Sequence, residues 1–326
     1  MLRLLVPIAV VLLLAGGGPT AVAAQDATPM ASPTAGTCDA PALPPGTPSP
    51  MEEPVGTPDA AMAGTPDPQA AGEAVATQAA MEASPAATPA GTPADAETAD
   101  RVEAAIRNPI NCYNTGEYLA VAALFTANGL LGEFGTANPY DLPLFLEGGS
   151  PLTIQSIGDV QTHADGRFSA DVVSTFGAQL QHERWFLVED GAYLLVDGTP
   201  DLPVDVPAGS AEIAVTLTDF AFALSADTVP AGTIAMRGTN DGEYFHEIAV
   251  AKFPEGFVLE DPMALLEGPP PEGTEFFGGA AGPPGESFDL VLLDLTPGVY
   301  TLLCFVDEPD GTPHVAKGMI ATLTVE

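Results

Sequence analysis

A Pro-rich segment, from residue 25 to about residue 95, limits how much of this 326-residue chain can fold. It consists mainly of Ala, Pro, Thr, Gly and Ser, and Gly-Thr-Pro units recur in it, starting at Gly46, Gly56 and Gly64. Such a composition buries too little apolar surface to offset the conformational entropy lost on ordering. Its prolines also favour an extended chain. We therefore expect residues 25–95 to form a disordered spacer, with the folded domains after it.

The N-terminus has the features of a secretory signal peptide. Arg3 supplies a positive charge, residues 4–15 form an apolar run, and small residues before Gln25 offer a cleavage site. The apolar run is too short for a standard membrane helix. We predict that residues 1–24 are a cleaved signal, with an uncleaved anchor as the alternative. The mature protein is then secreted or held in the cell envelope, without an integral membrane segment.

The charge balance argues against two classes of partner. The formal net charge is −36 at pH 7, and the chain has only 8 Lys and Arg residues. Such a surface repels the phosphates of nucleic acids and the headgroups of anionic lipids. It would attract cationic partners, although a solvated acidic surface without a specific partner is the simpler interpretation.

The three cysteines, Cys38, Cys112 and Cys304, are too few for a disulfide scaffold. If Cys304 binds a metal ion, Cys38 and Cys112 remain as a pair. In an oxidising compartment they could form a disulfide that ties the low-complexity segment to the next domain. The alternative is a buried free Cys112 and an exposed Cys38. The sequence leaves both open because it does not give the distance between the two residues.

Residues 96–200 predict an α+β domain. Apolar positions at helical spacing indicate a helix over residues 96–114, interrupted at Pro109, and a second helix over 117–127. Runs typical of strands follow at residues 152–160, 168–176, 179–188 and 193–196. Helices followed by antiparallel strands are the pattern of an α+β domain.

Two motifs of this domain, the turn at residues 114–118 and the strand at 183–191, resemble the nuclear-transport-factor-like, or SnoaL-like, cone fold. The resemblance implies either a cyclase or isomerase with acids and histidines inside the cone, or a non-catalytic dimerisation module. His182 and Arg184 share a strand face that could point inside, whereas His163 lies beside a turn and is expected to be exposed. No acid–base pair stands out. We therefore assign this domain no chemistry and expect a packing module or a homodimer interface.

Residues 211–326, which follow a Pro/Gly/Asp linker at 201–210, predict an all-β sandwich. Short apolar runs separated by turn signals occur at residues 213–217, 233–239, 244–253, 288–293, 300–306 and 319–325. A short helix is expected at residues 259–266. The Pro/Gly-rich stretch 268–285 is expected to be a long surface loop.

Four side chains of this last region form a possible metal-ligand set: His246, Cys304, His314 and Met319. Strand alternation places His246, Cys304 and Met319 on apolar, core-facing rows, and His314 lies in the loop between the last two strands. Each residue alone has an ordinary explanation: a core methionine, a buried thiol, a surface histidine, or a core histidine bonded to a carbonyl. Together they provide two imidazoles, one thiolate and one thioether, which is the ligand set of blue-copper sites.

The motifs around these side chains resemble the cupredoxins, the plastocyanin- and azurin-like type 1 copper proteins. The matching stretches are residues 229–233, 240–242, 245–247, 297–304 and 314–319. The resemblance implies a Greek-key β-sandwich in which His246, Cys304 and His314 form a trigonal copper site with Met319 as the axial ligand. Two features depart from the family: the Cys-to-His loop is longer, and the acidic Glu247 follows the first histidine.

These features predict an exported type 1 copper protein that transfers one electron to or from an unidentified redox partner protein and is not an enzyme. The Cys304 thiolate would supply a covalent path, and His314 the solvent-facing exit for electrons. The alternatives are a copper carrier without redox partners, a metal-free interaction module, and a small-molecule enzyme in the middle domain. The count of only 4 histidines argues against a multicopper oxidase, whose trinuclear site needs more.

Overall fold

The computed structural model describes residues 38–49, 91–259, 261–267, 270–308 and 310–326. The predicted signal segment 1–24 and most of the low-complexity segment 25–95 lie outside the described residues. Within these described ranges, no helix is both long and apolar enough to cross a lipid bilayer.

A disulfide joins Cys38 to Cys112, which decides between the two states that the sequence left open. Around it, the backbone N–H of Asp39 donates a hydrogen bond of 3.0 Å to the side-chain oxygen of Asn108. The disulfide closes a sequence separation of 74 residues and fastens the Pro-rich segment to the first helix of the middle region.

The expectation that all of residues 25–95 are a disordered spacer is wrong for residues 38–49 and 91–95. Leu43 packs against the core of the middle region. The Ser49 hydroxyl donates to the Asp141 carboxylate at 2.8 Å. Strand β1 (Thr92–Pro93) pairs with the first long strand of the sheet. Long-range contacts thus order stretches whose own composition would not fold.

Among the described residues there are five α-helices: α1 (Ala96–Asn114), α2 (Tyr118–Ala123), α3 (Ala127–Phe134), α4 (Leu142–Leu146) and, later in the chain, α5 (Ala264–Glu267). Helix α1 starts where the Asp95 side chain accepts a hydrogen bond from the Thr98 N–H. The predicted interruption at Pro109 is wrong, because α1 continues through this buried proline. The predicted second helix is divided in two, because Thr126 caps a new helix by accepting from the Gly129 N–H.

The four strands predicted for the middle region are confirmed, with slightly different ends. They are β2 (Leu152–Thr162), β3 (Phe168–Phe176), β4 (Gln179–Asp190) and β5 (Tyr193–Gly198). Each pairs antiparallel with the next. The helices cover one face of this sheet, and the buried side chains between them form one hydrophobic core.

Nine strands lie in the described part of the last region. They are β6 (Ala211–Thr218), β7 (Ala221–Leu224), β8 (Thr228–Val229), β9 (Gly232–Asn240), β10 (His246–Lys252), β11 (Glu275–Gly282), β12 (Ser287–Leu295), β13 (Gly298–Leu303) and β14 (Ile320–Val325). Strands β7, β6, β9 and β12 are neighbours in one sheet, and β11, β10, β13, β14 and β8 form a second. One hydrophobic core draws on strands of both sheets. The β-sandwich prediction is confirmed, and its Greek-key description stays a prediction.

The first sheet continues from the middle region into the last one. Strand β12 pairs antiparallel with β4 through Val291 and Leu292. The Gln179 side chain adds to this junction, because it donates to the Gly279 carbonyl at 2.9 Å and accepts from the Gly279 N–H at 3.0 Å. The two regions therefore share backbone hydrogen bonds as well as a chain connection.

The predicted surface loop at residues 268–285 is wrong in part, because it contains strand β11. This strand pairs antiparallel with β10, from His246 opposite Gly282 to Lys252 opposite Glu275. Here glycine allows two strands to approach closely and does not form a turn. A Cβ atom on Gly279 would lie 2.9 Å from the Ile248 carbonyl oxygen. The same residue type therefore indicated a loop in the sequence and fits a crowded strand in the fold.

Candidate metal centre

The four predicted ligands lie at one edge of the second sheet, because neighbouring antiparallel strands begin and end there. His246 begins β10, Cys304 directly follows β13, and Met319 directly precedes β14. His314 opens a 3₁₀ helix, His314–Lys317, in the connection between β13 and β14. All four side chains have 0% exposure to solvent.

Three of these side chains bring their ligand atoms together. The Cys304 Sγ lies 3.4 Å from His314 Nδ1 and 4.0 Å from His246 Nδ1. The two Nδ1 atoms are 3.0 Å apart. Three ligands placed symmetrically around one ion, at the roughly 2.0–2.3 Å of typical metal–N and metal–S bonds, would lie about 3.5–3.8 Å from one another. The observed distances bracket this range, so the three atoms fit a single trigonal metal ion.

Met319 lies beside this triad in the core. Leu303 pairs with Ile320, and extending this register by one residue places Cys304 opposite Met319. Both side chains belong to the same hydrophobic core cluster. The Met319 N–H donates to the His314 carbonyl at 3.2 Å, which ties the methionine to the helical turn that carries the second histidine.

A carboxylate fixes the orientation of the first imidazole. Asp219 Oδ1 lies 3.2 Å from His246 Nε2, and it also accepts from the Glu243 N–H at 2.8 Å. When Nε2 carries the proton for this hydrogen bond, Nδ1 presents its lone pair to the thiol and to His314. The ordinary alternative for His246, a core histidine bonded to a carbonyl, is therefore not what the structure shows at this ring nitrogen. Asp219 was not among the predicted site residues, because strand β7, which follows the turn that contains Asp219, was not predicted.

The prediction that His314 faces solvent is wrong. Its ring is fully buried, with the Phe220 ring 5.2 Å and the Tyr244 ring 5.9 Å from its centroid. Tyr244 is 37% exposed, so it separates His314 from solvent. Phe220 adopts a φ of 65°, which is uncommon for a bulky residue, in the two-residue turn that also presents Asp219. Among the described residues, the His314 Nε2 atom has no hydrogen-bond partner.

Glu247 ties the two ligand strands together from the opposite face of β10. Its carboxylate accepts the Phe305 N–H at 2.6 Å, and its own N–H lies 3.5 Å from Cys304 Sγ. Its side chain is buried, and this burial raises the pKa of Glu247 to about 7, although the Phe305 hydrogen bond opposes the rise. The sequence identified the acidic residue as a departure from the family pattern, but not this connecting role.

The surroundings set the proton state of each ligand. Burial, followed by the nearby His246, lowers the pKa of His314 to about 4, against the opposing effect of Asp219. Burial also lowers the pKa of His246, against the opposing effect of Asp219. Burial, followed by the Glu247 charge, raises the pKa of Cys304 to about 12. Both imidazoles are therefore neutral at pH 7, and a metal cation must displace the thiol proton in order to bind.

Partial burial raises the pKa of Asp219, but hydrogen bonds from the Glu243 N–H, the His246 ring and the Tyr244 N–H together hold it below its usual value. Asp219 is thus ionised at pH 7 and is a hydrogen-bond acceptor for His246.

The polar residues considered in the middle region do not point into a cone. His182 Nδ1 bonds to the Pro203 carbonyl at 2.8 Å, and Arg184 pairs with Asp171 at 2.6 Å. The opposite face of β4, with Glu183, lines a pocket instead. His163 was expected to be exposed but is buried, and its Nε2 lies 2.8 Å from the Ser169 hydroxyl.

Comparisons with known proteins identify no matching family model. No curated protein matches the sequence either.

Solved structures do match. Auracyanin from the photosynthetic bacterium Roseiflexus castenholzii is 26% identical, with the match covering 36% of this chain and 98% of auracyanin at a TM-score of 0.27. Auracyanin A, a "blue" copper protein from Chloroflexus aurantiacus, is 20% identical. The match covers 36% of this chain and 100% of auracyanin A at a TM-score of 0.26. Rusticyanin from Thiobacillus ferrooxidans is 16% identical, and the match covers 37% of this chain and 79% of rusticyanin at a TM-score of 0.26.

The resemblance to cupredoxins is confirmed in that the fold forms the buried His-Cys-His cluster that the motifs implied. The resemblance of the middle region to the SnoaL-like fold stays a prediction.

Proposed function

We propose that this chain is an exported type 1 copper protein that transfers single electrons through a mononuclear site. The observation that carries the proposal is the convergence of Cys304 Sγ, His246 Nδ1 and His314 Nδ1 within 4.8 Å of one another in a fully buried position. A thiolate and two imidazoles form the soft, trigonal ligand set that suits copper.

Met319 is the axial ligand in this proposal. Its side chain is buried beside Cys304, and a thioether is a weak ligand for copper in such sites. A weak axial ligand adjusts the reduction potential without replacing the three strong ligands, so the methionine tunes the site more than it holds the ion.

The way the ligands are held favours electron transfer over copper carriage. His246 is fixed at one ring nitrogen by Asp219, His314 is packed against Phe220 and Tyr244, and Glu247 fastens the backbone beside Cys304. Copper supplies a one-electron couple at this site. A ligand cage that moves little between the two oxidation states makes that exchange fast, whereas a carrier must open to release its ion.

Tyr244 is the exit for electrons in this proposal, in place of His314. Its ring contacts the buried His314 ring, and Tyr244 as a whole residue is 37% exposed. Only the Tyr244 ring would then separate a redox partner at this surface from the copper ligand His314, and the site would not need to open.

Export is supported by the Cys38–Cys112 disulfide, because such bonds persist in oxidising compartments outside the cytoplasm. The N-terminal pattern of residues 1–24 supports the same location.

The test is to load the full chain with one equivalent of Cu(II) and to record its absorption spectrum. We expect an intense thiolate-to-copper band near about 600 nm, which Cys304→Ser abolishes. Met236→Leu changes a buried methionine elsewhere in the same core and should leave the band in place. A band that survives Cys304→Ser, or no band with copper bound, would contradict the proposal. A copper carrier would bind Cu(I) tightly but would not cycle reversibly and rapidly between oxidation states.

A further inference from the structure

The middle region contains a pocket that takes no part in the metal centre. Its cavity volume is about 100 Å³, and helices α1 to α4 and strands β2 to β4 contribute to its walls. Most of the lining surface is apolar. Six aromatic rings face it: Tyr113, Phe125, Phe134, Phe145, Phe176 and Trp185. A concave, mostly apolar site with a few polar groups is the usual form of a small-molecule site.

The polar part of the lining is acidic. Glu133, Glu147 and Glu183 line the pocket together with Gln181 and Thr199, and no Lys, Arg or His does so among the described lining residues. Glu183 is only 4% exposed, and its Oε2 accepts the Trp185 indole N–H at 2.7 Å. Glu133 accepts a hydrogen bond from the Thr199 hydroxyl. These hydrogen bonds fix the direction of both carboxyl groups at the pocket wall.

Packing alone does not account for these carboxyl groups. A carboxylate taken out of water loses hydration that an apolar side chain of similar size would not lose. Glu183 and Glu133 nevertheless lie among aromatic rings, where an apolar residue would fill the space without that cost. A carboxylate is also a strong hydrogen-bond acceptor for a positively charged donor.

We propose that this pocket binds a small apolar molecule that carries a positively charged nitrogen. The nitrogen lies against Glu133 and Glu183, and the apolar body lies against the aromatic rings, whose faces also attract cations. The absence of a basic side chain in the described lining and the net charge of −36 both disfavour an anionic ligand.

The cavity volume limits the size of the ligand. An apolar cavity of roughly 150 Å³ holds a benzene molecule. The enclosed space here is somewhat smaller, so it accommodates at most about one ring or a branched alkyl group. Glu147 and Gly149 are exposed and mark the mouth, where a larger ligand would extend into solvent.

The chain supplies its own reporter, because Trp185 is its single tryptophan and lines the pocket. We would titrate the full chain with benzylamine, benzyl alcohol and benzoate, and follow the Trp185 fluorescence. These three probes share one ring and differ in charge. Benzylamine should bind about tenfold more tightly than benzyl alcohol, as expected for a charge-assisted hydrogen bond, and benzoate should not bind. Equal affinity for amine and alcohol, or no response to any probe, would overturn the proposal.

Glu183→Gln tests the role of the carboxylate, because glutamine keeps an oxygen for the Trp185 N–H but loses the charge. It should reduce the preference for benzylamine over benzyl alcohol to about twofold or less, since the charge-assisted part of the interaction is lost. Glu133→Gln is the second variant if the first does not fold, as judged by its unfolding midpoint. The exposed Asp100→Asn removes one charge from the same region and should retain the full preference. The copper band is a separate readout, so failure of either proposal leaves the other testable. An unchanged preference in both Glu variants would contradict the assignment.

Discussion

Removing the buried carboxylate of Glu247 should change how the stability of the metal-free protein depends on pH. Burial raises the pKa of Glu247 from 4.5 to about 7 in the folded state. Between these values the folded protein binds more protons than the unfolded chain, so stability is lost as the pH rises through this window. The pKa difference of about 2.5 corresponds to a loss of about 3 kcal/mol in the free energy of unfolding as the pH rises from about 4.5 to above 7.

The measurement is the free energy of unfolding in urea for the wild type and for Glu247→Gln, at several pH values from about 4 to 8 and without metal. His246 and His314 have lowered pKa values, so their contribution increases with pH over part of this window. Both proteins contain these histidines, and the difference between the two free energies therefore isolates Glu247.

As the pH rises from about 4.5 to above 7, the free energy of unfolding of Glu247→Gln should increase by about 3 kcal/mol relative to that of the wild type. Glutamine keeps an oxygen for the Phe305 N–H, so this backbone contact is retained. The exposed Glu243→Gln is the matched control and should follow the wild type at every pH. A difference between Glu247→Gln and the wild type that does not change with pH would refute the reasoning.

Three further predictions concern the proposed site, and a fourth concerns the disulfide. Asp219→Ala frees the Nε2 side of the first imidazole and should weaken copper affinity by about 10- to 100-fold in a chelator competition. Met319→Leu should raise the reduction potential measured by voltammetry with the copper band retained, whereas Met236→Leu should leave the potential unchanged. Tyr244→Leu should slow electron self-exchange measured by NMR line broadening, and Tyr244→Phe should not. Cys38→Ser should lower the free energy of unfolding by about 2–5 kcal/mol, and equal stability with and without a reductant in the wild type would contradict this.

The strands that carry the ligands could be predicted because each has one clearly apolar face. Alternation alone placed His246, Cys304 and Met319 toward the core, and all three are buried. Alternation did not identify the core-facing side of β4, because buried and partly buried residues occur on both faces of this strand. Alternation could therefore separate His182 from Glu183 but could not say which of them faces the pocket.

The residues that support the ligands were not predictable, because their partners are distant in the chain. Asp219 lies 27 residues before His246, and Glu247 lies 58 residues before Phe305. A local sequence pattern does not indicate contacts between residues so far apart in the chain. The burial of His314 also depends on Phe220, which reaches it only through the tight turn between β6 and β7.

Strand β11 was missed for a related reason. Its glycines are the residues that usually indicate turns, and here they let two backbones approach each other. The ordered stretch at residues 38–49 was missed because its order comes from the Cys38–Cys112 disulfide and from hydrogen bonds to residues such as Asp141.

Copper K-edge X-ray absorption on the full chain, loaded with one equivalent of copper, tests the central claim most directly. We expect one sulfur and two nitrogen scatterers at bonding distance, and we expect the sulfur to disappear in Cys304→Ser. A copper shell made only of nitrogen and oxygen in the wild type, or a second copper-bound thiolate, would contradict the assignment of Cys304, His246 and His314 to a single metal ion.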